Sequence, residues 1–190
     1  LRTSALVGGG LLIGITLDAC SDKPTDVAST GAASAPSIQQ NAWLAITTDG
    51  QVTFYSGQSE MGQGVYTALP TLLAEELEVP VSSVRVVAGP AGEQFINDLL
   101  GTQVTGGSTS VRDAWTKLRM AGAEARTRLL QAAADQWAVP VAQLKVANGV
   151  IRNDSGKQRG YGEHAEGAAK RPSPYQIALK PNSAFTPSGT

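Results

Sequence analysis

Cysteine and histidine are nearly absent from this 190-residue chain, which holds one of each, Cys20 and His164. A single cysteine excludes an internal disulfide, the pair cannot build a Cys/His zinc site, and one histidine limits any classical catalytic triad. Any redox chemistry therefore has to come from a bound cofactor. Charge is scarce as well. Only 16% of the residues are charged and the formal net charge is -1, which gives no reason to expect nucleic acid or an anionic membrane surface as partner. Two phosphate-binding signatures are missing: no Gly-Lys-Ser/Thr stands at P-loop spacing, and no Gly-x-Gly-x-x-Gly fingerprint occurs. The apolar stretch over 5–17, broken only by Thr16, is too short to span a bilayer and has the length of a signal-peptide core.

Hydrophobic residues make up 42% of the chain, enough to fold most of it into a real core. The chain begins at Leu1 rather than Met, as though cut into, with Arg2 ahead of the apolar stretch. A buried helix there is disfavoured by Gly8, Gly9, Gly10 and Gly14, at roughly 1 kcal/mol each. Residues 1–20 therefore read as an export signal and 21–40, polar and rich in small residues, as a linker. The flavour is that of a twin-arginine signal directing the protein to the periplasm, although the second arginine is missing. Leu17-Asp18-Ala19-Cys20 loosely resembles a lipoprotein cleavage box, in which Asp18 fits poorly; lipid anchoring at Cys20 stays open.

Folded structure is expected from about Asn41. Alternation on either side of Asp49-Gly50 predicts a hairpin, as does Asn148-Gly149 between Val146 and Ile151. A helix is predicted over 67–78, with Leu69, Leu72, Leu73 and Leu77 on one face, Thr67 as its cap and Pro70 in its first turn. Glu75, Glu76 and Glu78 read as a solvated face. Val79-Pro80-Val81 stops this helix ahead of a strand at 84–87. The same order recurs at Val139-Pro140-Val141 and Leu144-Lys145-Val146, which reads as two helix-to-strand units feeding one sheet. Between them lie a long loop over 88–103 and a long helix over 108–137. That helix carries a predicted buried stripe of Val111, Trp115, Leu118, Gly122, Ala125, Leu129 and Ala132, and wet-side pairs Asp113–Lys117 and Glu124–Arg128. The small residues in the stripe imply close packing on a neighbour. A short helix is predicted over 161–170, then an extended, proline-rich tail. The fold class is α+β: a mixed sheet with hairpins and two packed helices.

Two glycine-bearing corners stand out. At Ser59-Glu60-Met61-Gly62-Gln63-Gly64-Val65-Tyr66-Thr67, bare backbone and one neutral amide are presented where a strand passes into a helix. At Thr105-Gly106-Gly107-Ser108-Thr109-Ser110, glycines and hydroxyls stand at the start of the long helix, where unpaired N–H groups and a partial positive charge favour anions. Each corner also reads as an ordinary turn with a helix cap. Together they read as a cradle for a flat, polar, anionic cofactor.

In order and spacing, Gln58-Ser59-Glu60-Met61-Gly62-Gln63-Gly64-Val65-Tyr66-Thr67, Ala74-Glu75-Glu76-Leu77 and Gln103-Val104-Thr105-Gly106-Gly107-Ser108-Thr109-Ser110-Val111 resemble the molybdopterin-binding subunit of the xanthine dehydrogenase family. The branch they are most similar to is the isoquinoline 1-oxidoreductase β-subunit, or molybdenum aldehyde dehydrogenase, branch. Tyr161-Gly162-Glu163 and Leu179-Lys180 fit it too, whereas His164 departs from an expected leucine. The resemblance implies a molybdenum–molybdopterin cofactor, in its cytosine dinucleotide form, whose own sulfurs hold the metal, so that no protein metal ligand is expected. It implies that Met61, Gly62, Gln63 and Gly64 touch the pterin or its phosphate, and that Thr105, Gly106, Gly107, Ser108 and Ser110 line the phosphate and pterin side. The family reaction is hydroxylation of an aldehyde or N-heterocycle. Electrons leave through a small [2Fe-2S] ferredoxin-like partner subunit, with a c-type cytochrome subunit as a further partner. The family subunit is several times longer, and its catalytic glutamate lies downstream of everything here. Residues 41–190 are thus expected to be the N-terminal part of a larger cofactor-binding domain, with no catalytic residue of their own. A reading from another class is a secreted, non-catalytic small-molecule or glycan binder whose glycine corners are merely turns.

Overall fold

The structure is a computed structural model that describes residues 37–185. The expectations about the export signal, Cys20 and most of the linker lie outside these residues.

The hairpin at Asp49-Gly50 is present. Strands β2 (Leu44–Thr47) and β3 (Val52–Ser56) pair antiparallel, with Leu44 opposite Phe54 and Ile46 opposite Val52. Strand β1 (Ser37–Asn41) pairs antiparallel with β2, so regular structure begins ahead of Asn41, within the stretch read as linker. Strand β4 (Val84–Ala88) lies parallel to β3. A parallel neighbour needs a crossover rather than a turn, and helix α1 (Val65–Leu77) supplies it. The first sheet is therefore mixed, in the order β1-β2-β3-β4.

Leu69, Leu72, Leu73 and Leu77 of α1 are buried as their spacing predicts. Burying a leucine contributes roughly 1.5–3 kcal/mol, so this face anchors the helix. Two details differ from expectation. The helix begins at Val65, so Thr67 is not its cap, and Pro70 falls inside it rather than in its first turn.

Helix α2 (Ser110–Trp137) packs along α1. Leu118, Gly122, Ala125, Leu129 and Ala132 are buried. Val111 and Trp115 are 41% and 38% exposed, because Ala114 takes the inward position in the first turns. The two helices touch at Gly122, where a Cβ would sit 2.5 Å from the Leu73 carbonyl oxygen and 3.0 Å from Glu76 Cβ. Any side chain there would hold the helices apart.

A second sheet follows instead of an extension of the first. Strands β5 (Leu144–Ala147), β6 (Val150–Asn153) and β7 (Gln158–Gly160) form an antiparallel meander. Thus β4 and β5, despite their shared Val-Pro-Val prelude, feed different sheets, and β7 is too short to show alternation. Asn148 and Gly149, both at positive φ (51° and 72°), form the two-residue turn between β5 and β6. Helix α3 (Gly162–Ala169) starts hard against the β2–β3 turn: a Cβ on Gly162 would lie 2.3 Å from the Thr48 carbonyl oxygen.

The acidic run is not a solvated face. Glu76 is fully buried and its Oε1 accepts the Arg119 Nε–H at 2.8 Å, while Oε2 accepts the Lys180 N–H at 3.0 Å. Glu78 pairs with Arg126 at 3.4 Å and Glu75 with Lys180 at 3.9 Å. Arg119 also donates to Asn182 Oδ1 at 2.8 Å, and its guanidinium lies 4.8 Å from the Phe185 ring. The proline-rich tail is thereby tied across the helix pair. Asp113–Lys117 and Glu124–Arg128 form, at 2.9 and 3.5 Å, but are largely covered rather than on a wet side.

His164 is buried edge-on to Trp137, ring centroids 5.3 Å apart, and neither ring nitrogen has a hydrogen-bond partner. This is an apolar position, in keeping with the leucine expected there. Burial pushes the imidazole below its ordinary value of 6.5.

Two predictions follow from this packing. Gly122→Ala overpacks the helix contact and should cost about 1–3 kcal/mol in denaturant unfolding. In the unfolded chain His164 binds its proton near pH 6.5, whereas the folded chain resists it. Stability is therefore complete above that pH and falls as pH drops below it. His164→Leu should flatten this acid limb in unfolding curves taken across the range; an unchanged limb would show that other groups govern it.

Candidate cofactor site

Both glycine corners sit at the same end of the α1–α2 pair, one leaving β3 and the other entering α2. A short chain of hydrogen bonds joins them. The Ser59 N–H donates to Thr105 Oγ1 at 2.8 Å, and the Thr105 hydroxyl donates to Gln58 Oε1 at 3.1 Å. The Ser110 hydroxyl reaches the same oxygen at 3.4 Å. Gln58 is itself buried. Gln58 lies at the head of the first motif, where nothing in the local sequence marks a role for it; in the fold it holds the second corner to the first.

The first corner is satisfied from within. The Met61 N–H donates to Gln63 Oε1 at 2.6 Å, and Gln63 Nε2 donates to the Ser59 carbonyl at 2.7 Å. Glu60 takes the N–H groups of Gly62, Gly64 and Tyr66. Gly62 and Gly64 adopt φ of 94° and 81°, which side chains rarely tolerate. Met61 is 70% exposed and projects outward.

The second corner is a tight turn. The Thr109 N–H donates to the Gly106 carbonyl at 3.3 Å, around Gly107 and Ser108 at φ of 62° and 53°, the pattern of a type I′ turn. The Thr109 hydroxyl bonds the Gly106 carbonyl and receives Asn97 Nδ2 at 2.7 Å, so it stiffens the turn and does not cap α2. Asn97 is fully buried and ties in the 88–103 loop. Phe95 plugs that loop between Gly57 and Gly89, where added Cβ atoms would lie 2.7 and 2.8 Å from its side chain. Asp113, in the first turn of α2, is held by Lys117 and by the Asp98 N–H.

Nothing lies within 4 Å of a Cβ built on Gly62, Gly64 or Gly106. The corners form an open surface, and a small cavity of about 20 Å³ beside Gln58 and Phe95 lies behind it. A flat group can approach this surface closely. Of the nine expected site residues, Gly106, Gly107 and Ser108 stand exposed at the start of α2 and suit an anionic group. The Thr105 and Ser110 hydroxyls are spent on Gln58, and the N–H groups of Met61, Gly62 and Gly64 are spent inside their own loop. The arrangement leaves the Gly106–Gly107–Ser108 turn at the start of α2 as the end of the surface best suited to an anion.

Comparison with known proteins decides the lineage. The family model of the molybdopterin cofactor-binding domain matches residues 10–188. The chain belongs to this family. It is 41% identical over 138 residues to isoquinoline 1-oxidoreductase subunit beta of Brevundimonas diminuta, which covers 70% of this chain and 18% of that protein. It is 32% identical over 126 residues to the membrane-bound aldehyde dehydrogenase [pyrroloquinoline-quinone] of Gluconacetobacter polyoxogenes, covering 66% of this chain and 16% of that one. The chain thus spans less than a fifth of the length of either relative. Among solved structures, CO dehydrogenase from Oligotropha carboxidovorans shares the fold, with a TM-score of 0.50 at 22% identity over 64% of this chain and 15% of that one.

Thr105→Val tests the link between the corners. It removes the acceptor for Ser59 and the donor to Gln58, a net loss of about 1–2 kcal/mol. Denaturant unfolding should show this loss, and hydrogen exchange at the Ser59 amide should speed up. Unchanged exchange there would mean that the corners are held together by something else.

Proposed function

We propose that this chain carries one wall of the cofactor site of a molybdenum hydroxylase large subunit that oxidises aldehydes or N-heterocycles. The observation that carries the reading is the Ser59–Thr105–Gln58 junction, which unites the two glycine corners of a molybdopterin-family domain into one open, glycine-lined surface. The molybdenum–pterin group supplies the two-electron chemistry when bound. In this reading the residues of the chain orient it: Gly106, Gly107 and Ser108 offer backbone N–H groups to its anionic tail, and the exposed Met61 and Gln63 lie along the ring system. The relatives named for isoquinoline and aldehyde oxidation support the substrate class. The cofactor is read as the cytosine dinucleotide form, the electron acceptor as a small [2Fe-2S] ferredoxin-like subunit with a c-type cytochrome beyond it, and the place of action as the periplasm.

The test is molybdenum per chain in the purified full-length protein, with the nucleotide released by acid measured beside it. Molybdenum and CMP in equal amounts are expected. Molybdenum without CMP would overturn the dinucleotide form, and no molybdenum would overturn the reading. Gln63→Ala unties the 59–63 loop, removing bonds worth about 1–2 kcal/mol together. Cofactor affinity should fall by a factor of about 5–30, read as lower molybdenum retention on dilution; full retention in that variant would remove Gln63 from the site.

A further inference from the structure

Negative charge already occupies the place where the first corner would hold it. Glu60 Oε1 accepts the N–H groups of Gly62 at 2.8 Å and Gly64 at 3.0 Å, and Oε2 accepts that of Tyr66 at 2.8 Å. A helix start leaves such N–H groups without intrahelical acceptors. The cap residue of α1, Gly64, has no side chain to offer, so a carboxylate from outside the helix serves both it and the loop. The N–H groups of Tyr66 and Gly64 hold the Glu60 carboxyl below the usual carboxylate range, which keeps it charged at neutral pH. The second corner is different. Thr109 makes no side-chain cap bond there. The nearest acidic side chain on α2, Asp113, is bound to Lys117 at 2.9 Å and to the Asp98 N–H at 2.8 Å. An anion laid across both corners meets repulsion at one and attraction at the other.

We propose that Glu60 is a positioning residue that fills the anion-binding end of α1, so that the 61–64 loop meets the cofactor through neutral groups while its phosphate is directed to the Gly106–Gly107–Ser108 turn. The second half of this statement rests on the function proposed above; the first half does not. It gives the cofactor a single orientation on a surface whose two glycine corners would otherwise compete for the same charge. It also explains why a loop rich in exposed backbone needs an acidic residue at its entrance.

Hydrogen–deuterium exchange of the full-length protein, stripped of cofactor, reads the role of Glu60 directly. Glu60→Ala should raise exchange at the Gly62, Gly64 and Tyr66 amides by about tenfold. Added formate, a small carboxylate, should restore protection in the variant and change nothing in the parent protein. Glu60→Gln keeps an acceptor for the two glycines but turns an amide toward Tyr66, so Tyr66 alone should lose protection. Unchanged exchange in Glu60→Ala, or equal protection by formate in parent and variant, would overturn the proposal. In loaded protein the Glu60→Ala variant should bind inorganic phosphate at the first corner, in competition with the cofactor, and retain less molybdenum. Full retention in phosphate buffer would overturn the directing role. A parent protein that never takes up molybdenum would instead overturn the functional reading, while exchange would still report on Glu60 by itself.

Discussion

The contact of Gly122 with the Leu73 carbonyl sets the distance between α1 and α2, and everything at the site depends on that distance. With no side chain between them the helices meet backbone to backbone, and van der Waals contact is collected along the whole seam. The seam buries Glu76 between two arginines, Arg119 at 2.8 Å and Arg126 at 3.9 Å. A buried ion pair is weak evidence for stability, since desolvation opposes its attraction. Its role here is specific: Arg119 and Glu76 also bind the backbone of Lys180 and the side chain of Asn182, so they fix where the tail crosses the helices. Helix spacing and tail position thus come from the same few residues.

From that seam the start of α2 is carried to the loop that enters α1. The junction there is polar, and its hydroxyls and the Gln58 carbonyl oxygen are all engaged with one another. Gln58 Oε1 collects the Thr105 and Ser110 hydroxyls, and Thr105 in turn accepts the Ser59 N–H. Two hydroxyls converging on one buried amide oxygen specify one geometry for the junction. The division of charge between the corners follows from the same accounting of donors. The first helix start is closed by Glu60, whereas no side chain caps the second.

The elements with strong local signals were legible in the sequence. Asp49-Gly50 and Asn148-Gly149 act through nearest neighbours, the leucine face of α1 and the small residues of α2 show as helical spacing, and all stand as read. What failed to show was tertiary. Glu76 has the same local surroundings as Glu75, and only the approach of Arg119 from α2 makes it a buried anchor. β4 and β5 share a prelude, and only long-range pairing assigns them to separate sheets. At the site, the two corners were visible as glycine patterns, but the consumption of their donors was not. Thr105, Ser110 and Gln63 look like free ligand contacts in the sequence and are engaged within the protein. Glu60 lies four residues ahead of the cap Gly64, outside the positions where local capping signals act, so its bonds to the helix start show only in the folded loop.

A crystal structure of the molybdenum-loaded full-length protein would show whether the two corners form one cradle in which the cofactor's phosphate lies on the α2 side. The expected result is a cofactor lying across both corners, its phosphate within hydrogen-bond distance of the 106–108 backbone, and Glu60 still bonded to Gly62, Gly64 and Tyr66. A phosphate seated on the Gly62 and Gly64 N–H groups, with Glu60 turned out to solvent, would contradict it.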